Sequence, residues 1–382
     1  MKKPDYHYAA LYTFSYMALG ALLPLIGQYL HFIGFSGAQI GTITAAGTLV
    51  AIFAATVWGK AYHYSHNRHL LIMALCITAA GIGTVLMRVN GYWFFLCLFG
   101  CMYFFQAPIM ALSDAVTLED GRPFNRIRKW GSIGFALGAF LAGELAGRIG
   151  LPLIFPMYAG SFLIAAAMLF AIFSAGKKDR GQEREVPREK PKGRYSDLLQ
   201  NKKLIRLILC TFFVGGTNVA NNTYFSFLYI DGGGTIAGVG VVMLLMVGSE
   251  AVFMQWSAGL AKRFTLEKTI LAAIGISVIR FGIYGLNPAY PVLIALFFLQ
   301  GAVNGIILVE FVRYVSKLAP KGKEGMAIAA YYALGSNLST IVCQLAGGEL
   351  LDAFGSGGVY LFFSIFNGIG FLFYVKFKLY KA

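Results

Sequence analysis

What most constrains this chain is a recurrence. Apolar runs of about 20 residues, each closed by charged residues, Pro or Gly, follow one another from residue 7 to residue 380. A run of that length spans the hydrocarbon core of a bilayer as a helix, the form in which a segment satisfies all of its own backbone hydrogen bonds in lipid. The runs predict twelve spans, near 7–33, 39–61, 69–87, 92–118, 124–149, 151–174, 203–230, 236–261, 268–286, 290–317, 325–350 and 356–380. Composition agrees. Charged residues make up 13% of the chain, against about 25% in an average soluble domain. The mean hydropathy is +0.66, which excludes an ordinary soluble enzyme.

Residues 175–202 are too charged to enter lipid and too poor in apolar side chains to build a core, so they read as a cytoplasmic linker. This divides the chain into an N-terminal six-helix bundle, 1–174, and a C-terminal one, 203–382. Placing both termini in the cytoplasm puts every one of the 32 Lys and Arg on that side except Arg88, Arg148 and the embedded Arg280. That is the expected asymmetry of a protein of the inner, cytoplasmic membrane. Met1-Lys2-Lys3 before an apolar run resembles a signal peptide, but no small-residue cleavage site follows, and the run reads as a retained first span.

Two matches at a shift of about 200 residues suggest internal duplication. Trp58-Gly59 with Arg68 parallels Gly259 with Lys268, and Ala142-Gly143-Glu144-Leu145 parallels Gly347-Gly348-Glu349-Leu350. The expected fold is an all-α polytopic membrane protein, twelve transmembrane helices in two pseudo-symmetric six-helix bundles.

The net charge of +15 is scattered between apolar runs rather than gathered on one face, so no nucleic-acid partner is expected. Cys76, Cys97, Cys101, Cys210 and Cys343 all lie inside apolar runs with no metal-ligand spacing and read as packing or lipid-facing residues. A phosphate-cradling Gly-rich loop, a Ser/His/Asp set and an HExxH pair are all missing. No metal, cofactor or enzymatic activity is expected, and ATP-driven transport within this chain is disfavoured.

Ionisable side chains in the hydrocarbon region cost about 2.5–3.5 kcal/mol each on insertion scales and usually face a cavity or a partner. The embedded set is Asp114, Arg128, Glu144, Glu250, Arg280 and Glu310. Asp114 and Arg128 each lie seven residues from Gly121 at a hairpin tip, which places them at one shallow depth on neighbouring helices. Glu250 and Arg280 are each fifteen residues from Thr265, near the midplane, roughly 20 Å from the cytoplasmic end. One matched pair per half suits either a static ion pair or an alternating-access site. A carboxylate such as Glu250 can take up and release a proton as water access alternates.

Glu144 and Glu349 read as solvated groups near the outer ends of spans, and Glu310 with Arg313 as a surface i,i+3 pair. Among the neutral polar residues, Asn218, Asn221 and Asn222 share one face of the seventh span, and Gln300 is a further hydrogen-bonding candidate. Gly134 with Gly138, and Gly143 with Gly147, have the four-residue spacing of close helix approach. Trp58, Trp93, Trp130 and Trp256 lie near span ends, as interfacial anchors do.

The whole chain resembles the major facilitator superfamily, on the branch of the phenylpropionate permease and, more distantly, of the lactose permease and nucleoside–proton symporters. The most specific residues are Pro108 to Ala115 in the fourth span and Arg126-Ile127-Arg128-Lys129-Trp130-Gly131-Ser132 in the fifth. Gly248-Ser249-Glu250 in the eighth and Val278-Ile279-Arg280-Phe281-Gly282-Ile283 in the ninth add to them. The resemblance implies that Arg128 contacts substrate, that Phe135 offers an aromatic face for stacking, and that Glu250 and Arg280 serve substrate binding and proton coupling.

The chain departs from the pattern where Gln300 replaces a histidine and Val303 a coupling glutamate. Its loop signature, Gly59 to Arg68, also lacks the usual Asp. The Gly-Pro motif of drug/proton antiporters is absent from the fifth span, which weighs against efflux.

The expected function is proton-coupled uptake of a small organic solute, an aromatic acid, sugar or nucleoside, by alternating access. Asp114, Arg128, Phe135, Asn218, Asn221, Asn222 and Gln300 would bind solute, and Glu250 with Arg280 would couple the proton. The alternatives are a proton-coupled antiporter or a non-transporting membrane sensor. The expected partners are solute, proton and lipid, and a monomer suffices.

Overall fold

A computed structural model describes residues 3–176, 198, 201–320 and 322–381, which are almost wholly helical, with no strand among them. Apart from residues 175, 176, 198, 201 and 202, the expected linker lies outside the described residues. In chain order the helices are α1 (Lys3–Leu22), α2 (Ile26–Phe32), α3 (Gly37–Tyr64), α4 (Arg68–Leu86), α5 (Tyr92–Glu119), α6 (Phe124–Arg148) and α7 (Ile154–Gly176). They continue as α8 (Lys202–Asp231), α9 (Ile236–Phe264), α10 (Leu266–Tyr284), α11 (Tyr290–Leu318), α12 (Glu324–Ala330) and α13 (Ser339–Lys376). A wider π-helical stretch, Tyr331–Leu338, joins the last two.

Nine stretches among the described residues are long and apolar enough to cross a membrane. Two further helices fall short on composition alone: α6, which is diluted by glycine, and α10, which carries Glu267, Lys268 and Arg280. The stretch Glu324–Lys376 is 53 residues long and breaks at Gly355, where φ is 67°, a conformation glycine holds without strain. The sequence reading of twelve runs also counts α6 and α10 and divides that stretch near Gly355.

The chain forms two compact units. The first contains α1, α2, α4–α7, α3 from Ala46 onward, and Thr235–Leu244, which includes the start of α9. Here α1 lies directly on α6. A Cβ at Gly134 would run into the Thr13 carbonyl, one at Gly138 into that of Met17, and one at Gly20 into that of Phe135. The glycine spacing thus buys backbone-to-backbone contact, the main source of helix adhesion where lipid is as apolar as leucine. Tyr29, Phe35, Phe95 and Phe155 form an aromatic core beside it.

Where α4 begins and α5 stops, polar groups interlock. Arg68 and the Tyr62 hydroxyl both bond Glu119 at 2.7 Å, while His69 at 2.9 Å and the Tyr8 hydroxyl bond Asp120. Arg122 lies 3.7 Å from Asp5 and over the Tyr8 ring. The loop signature without its Asp therefore places Arg68 against a carboxylate supplied by α5.

The second unit contains Ser36–Ala45, α8, α9 from Leu245 onward, and α10–α13. The side chain of Asn201 caps α8 by accepting from the Lys203 and Leu204 amides, both at 3.1 Å. Further along, α8 packs on α13 and the π-helical stretch: Gly215 meets Gly335, Gly216 meets Ser339, and the Ser339 hydroxyl donates to the Phe212 carbonyl. Asn367 donates to Thr217 at 2.7 Å. The two duplicated Gly-Glu segments do similar work, each within its own unit. Gly143 abuts Gly240 in the first, and Gly348 abuts Gly37 and Gly41 in the second. Asp352 then accepts from the Gly37 and Ala38 amides at 2.6 and 2.8 Å, a carboxylate at the positive end of α3.

Candidate functional site

In the first unit the α5–α6 hairpin brings Asp114 and Arg128 together as their matched depth predicts, with Arg128 Nε 3.6 Å from Asp114 Oδ1. Both side chains are about one-third exposed, at 31% and 37%, so solvent screens the pair and its net worth is small. Sequence reasoning missed what surrounds it. The Tyr12 hydroxyl donates to Asp114 at 2.6 Å, and the Arg128 guanidinium lies 4.5 Å from the centroid of the Tyr16 ring. Those two rings stack on each other with only 9° between their planes.

Gly131 makes the arrangement possible, since a Cβ there would press on both Tyr16 and Arg128. A signal did exist: Tyr8, Tyr12 and Tyr16 recur every four residues, on one face of α1. Phe135, half-buried, sits seven residues past Arg128 on the same face of α6. The result is a charge-neutral, hydrogen-bonding patch with an aromatic floor.

The second unit differs. Arg280 is fully buried on α10, where the Tyr284 side chain lies beside its guanidinium and, among the described residues, no carboxylate pairs with it. Its guanidinium lies 4.1 Å from the Phe281 ring centroid and 5.2 Å from that of Tyr284. Matched depth does not bring Glu250 to it, because among the described residues no ion pair joins the two. Instead Glu250, half-buried on α9, has the Asn304 side chain beside its carboxylate. Glycines again explain the placement. Gly301 and Gly305 of α11 press against Ser249, Met246 and the Glu250 backbone, which sets α9 and α11 in direct contact and leaves Gln300 and Asn304 flanking the seam.

Gln300 is fully buried, and among the described residues neither of its amide atoms has a partner. Of the α8 asparagines, Asn221 accepts from the Tyr360 hydroxyl at 2.9 Å, and among the described residues its Nδ2 has no partner. Asn218 donates back to the Val214 carbonyl, and Asn222 is half-buried. Asn218 and Asn221 thus bond different neighbours.

Other expectations changed. Glu310 pairs with Arg313 at 2.8 Å but is fully buried, so the pair is not the surface bridge its spacing suggested. Glu144 bonds the exposed Arg148 at 3.0 Å, as a solvated group would. Trp93 and Trp256 are well exposed, as anchors should be, whereas Trp58 packs inward on Phe104 and Phe105. Cys76, Cys210 and Cys343 are buried, Cys97 and Cys101 exposed, and all five are free thiols.

Residues 6–362 match the model of the MFS_1 like family. The chain is 33% identical over 366 residues to a maltose permease of Geobacillus stearothermophilus, covering 94% of this chain and 91% of that one. It is 26% identical over 357 residues to a probable 3-phenylpropionic acid transporter of Escherichia coli strain K12, covering 91% and 90%. Among solved structures it is similar to that of the nucleoside transporter NupG, with a TM-score of 0.80 at 16% identity and full coverage of both chains.

Proposed function

The chain belongs to the MFS_1-like family of membrane transporters of small solutes, and on that premise we propose that it imports its solute together with a proton by alternating access. The observation that carries the proton half is Glu250. It lies in the middle of a spanning helix with a neutral amide beside it and, among the described residues, no cation within ion-pair distance. A carboxylate so placed is ionised when water reaches it and neutral when it is closed off, which is what a proton carrier needs. The solute half rests on Asp114, Arg128 and Phe135 in the first unit and on Asn218, Asn221, Asn222 and Gln300 in the second. Arg280 acts with Glu250 in coupling. The chain works as a monomer in the cytoplasmic membrane with both termini inside.

The solute is an aromatic acid, a sugar or a nucleoside. The test is external pH in lightly buffered, energy-depleted cells expressing the protein, given maltose, 3-phenylpropionate or uridine in turn. Symport predicts alkalinisation with one of the three and its loss in Glu250→Gln. Acidification would establish antiport instead, and binding without movement would mark a sensor.

A further inference from the structure

Among the described residues Arg280 is the largest fully buried side chain, and its nearest polar neighbours are tyrosines rather than a carboxylate. The Tyr284 side chain lies beside the Arg280 guanidinium, and its ring stands 5.2 Å from that of Tyr360. Tyr360 in turn donates to Asn221, whose Nδ2 has no partner among the described residues. On α11, which packs on α10, Gln300 offers a further N–H group with no partner among the described residues.

A buried cation without a counter-charge is among the most costly arrangements a membrane interior can hold. The aromatic faces of Phe281 and Tyr284 offset part of that cost through their quadrupoles but supply no counter-charge. The first unit presents the opposite situation, because Asp114 already neutralises Arg128.

We propose that the missing counter-charge arrives with the solute: Arg280 receives a carboxylate of the transported molecule, which makes this a transporter of monocarboxylates. The assignment rests on the transport function proposed above. A planar guanidinium takes a carboxylate through two parallel hydrogen bonds, and one negative charge neutralises the single positive charge of the cage. A phosphate dianion would leave a net negative charge in the same apolar surroundings, and a neutral sugar a net positive one. The aromatic walls suit an apolar or aromatic body attached to the carboxylate.

The experiment uses the purified full-length protein in detergent and reads its unfolding temperature with acetate, lactate, benzoate and 3-phenylpropionate, each beside its own amide, and with maltose. At least one carboxylate is expected to raise the unfolding temperature by several degrees while its amide and maltose do not. Arg280→Gln is expected to weaken that binding by about tenfold or more. If Arg280→Gln does not stay monodisperse, Arg280→Lys keeps the charge without the fork, and it too is expected to lose affinity. Stabilisation by maltose or an amide equal to that by the acid, binding that persists in Arg280→Gln, or no response to any carboxylate overturns the assignment. Proton-linked uptake of maltose with no carboxylate binding would overturn it while the symport reading stands. Carboxylate binding without proton-linked uptake would do the reverse.

Discussion

Arg128 and Asp114 were legible in the sequence because lipid makes any charge in a span conspicuous, whereas Tyr12 and Tyr16 were not, because tyrosine is ordinary in such helices. Yet the two tyrosines decide how the pair can act, one by bonding Asp114 and the other by lying under Arg128. Arg128→Lys keeps the charge but loses the planar face that lies on Tyr16. Solute affinity is expected to fall about fivefold to tenfold with the protein still folded, read from equilibrium binding. Asp120 gives a pH-dependent case outside the spans. Burial alone would raise its carboxyl, but the hydrogen bonds from His69 and Tyr8, with the charges of His69 and Arg122, more than offset this and hold it below its usual range. A depressed folded value means stability that is present above the unfolded value near 4 and lost as pH falls through the folded one. Wild type is therefore expected to exceed Asp120→Asn in unfolding temperature above about pH 5, with the gap closing below about pH 4. A gap unchanged at pH 3 would sink the assignment.

Helices meet in this protein through glycine, and the sequence marks which glycines matter only by spacing. Gly134 and Gly138 stand where a side chain would strike the backbone of α1, while Gly81 on α4 has open space around it. Gly134→Val is therefore expected to abolish a monodisperse peak in size-exclusion chromatography, and Gly81→Ala to leave it unchanged. Recovery of folded Gly134→Val at wild-type yield would show that α1 and α6 are not in backbone contact. The duplicated Gly-Glu segments gave a sharper hint, since both place a glycine on another glycine's backbone. The break at Gly355 was legible only as a gap between apolar runs, because one residue with positive φ leaves no hydrophobic signature.

At the scale of the whole chain, the Lys and Arg distribution predicts that both termini lie in the cytoplasm. A green fluorescent protein fused after Ala382 is expected to fluoresce, and cysteines replacing Arg88 or Arg148 are expected to react with an impermeant thiol reagent added outside intact cells. Labelling of those positions only after lysis would reverse the topology. The sequence by itself determined the helical membrane fold, the number and approximate ends of the runs, the family resemblance and the depth of each embedded charge. All of these follow from quantities local to the chain: apolar length, charge position and helical rise. Only the tertiary structure decided who meets whom at a given depth. Two pairs were equally well matched along their helices, yet one closes to 3.6 Å and the other leaves Arg280 on its aromatic neighbours and Glu250 beside Asn304. Depth is set by the rise per residue along one helix, but partnership depends on the rotation of each helix about its axis and on the glycines that let two backbones touch, and neither is written in the spacing of charges.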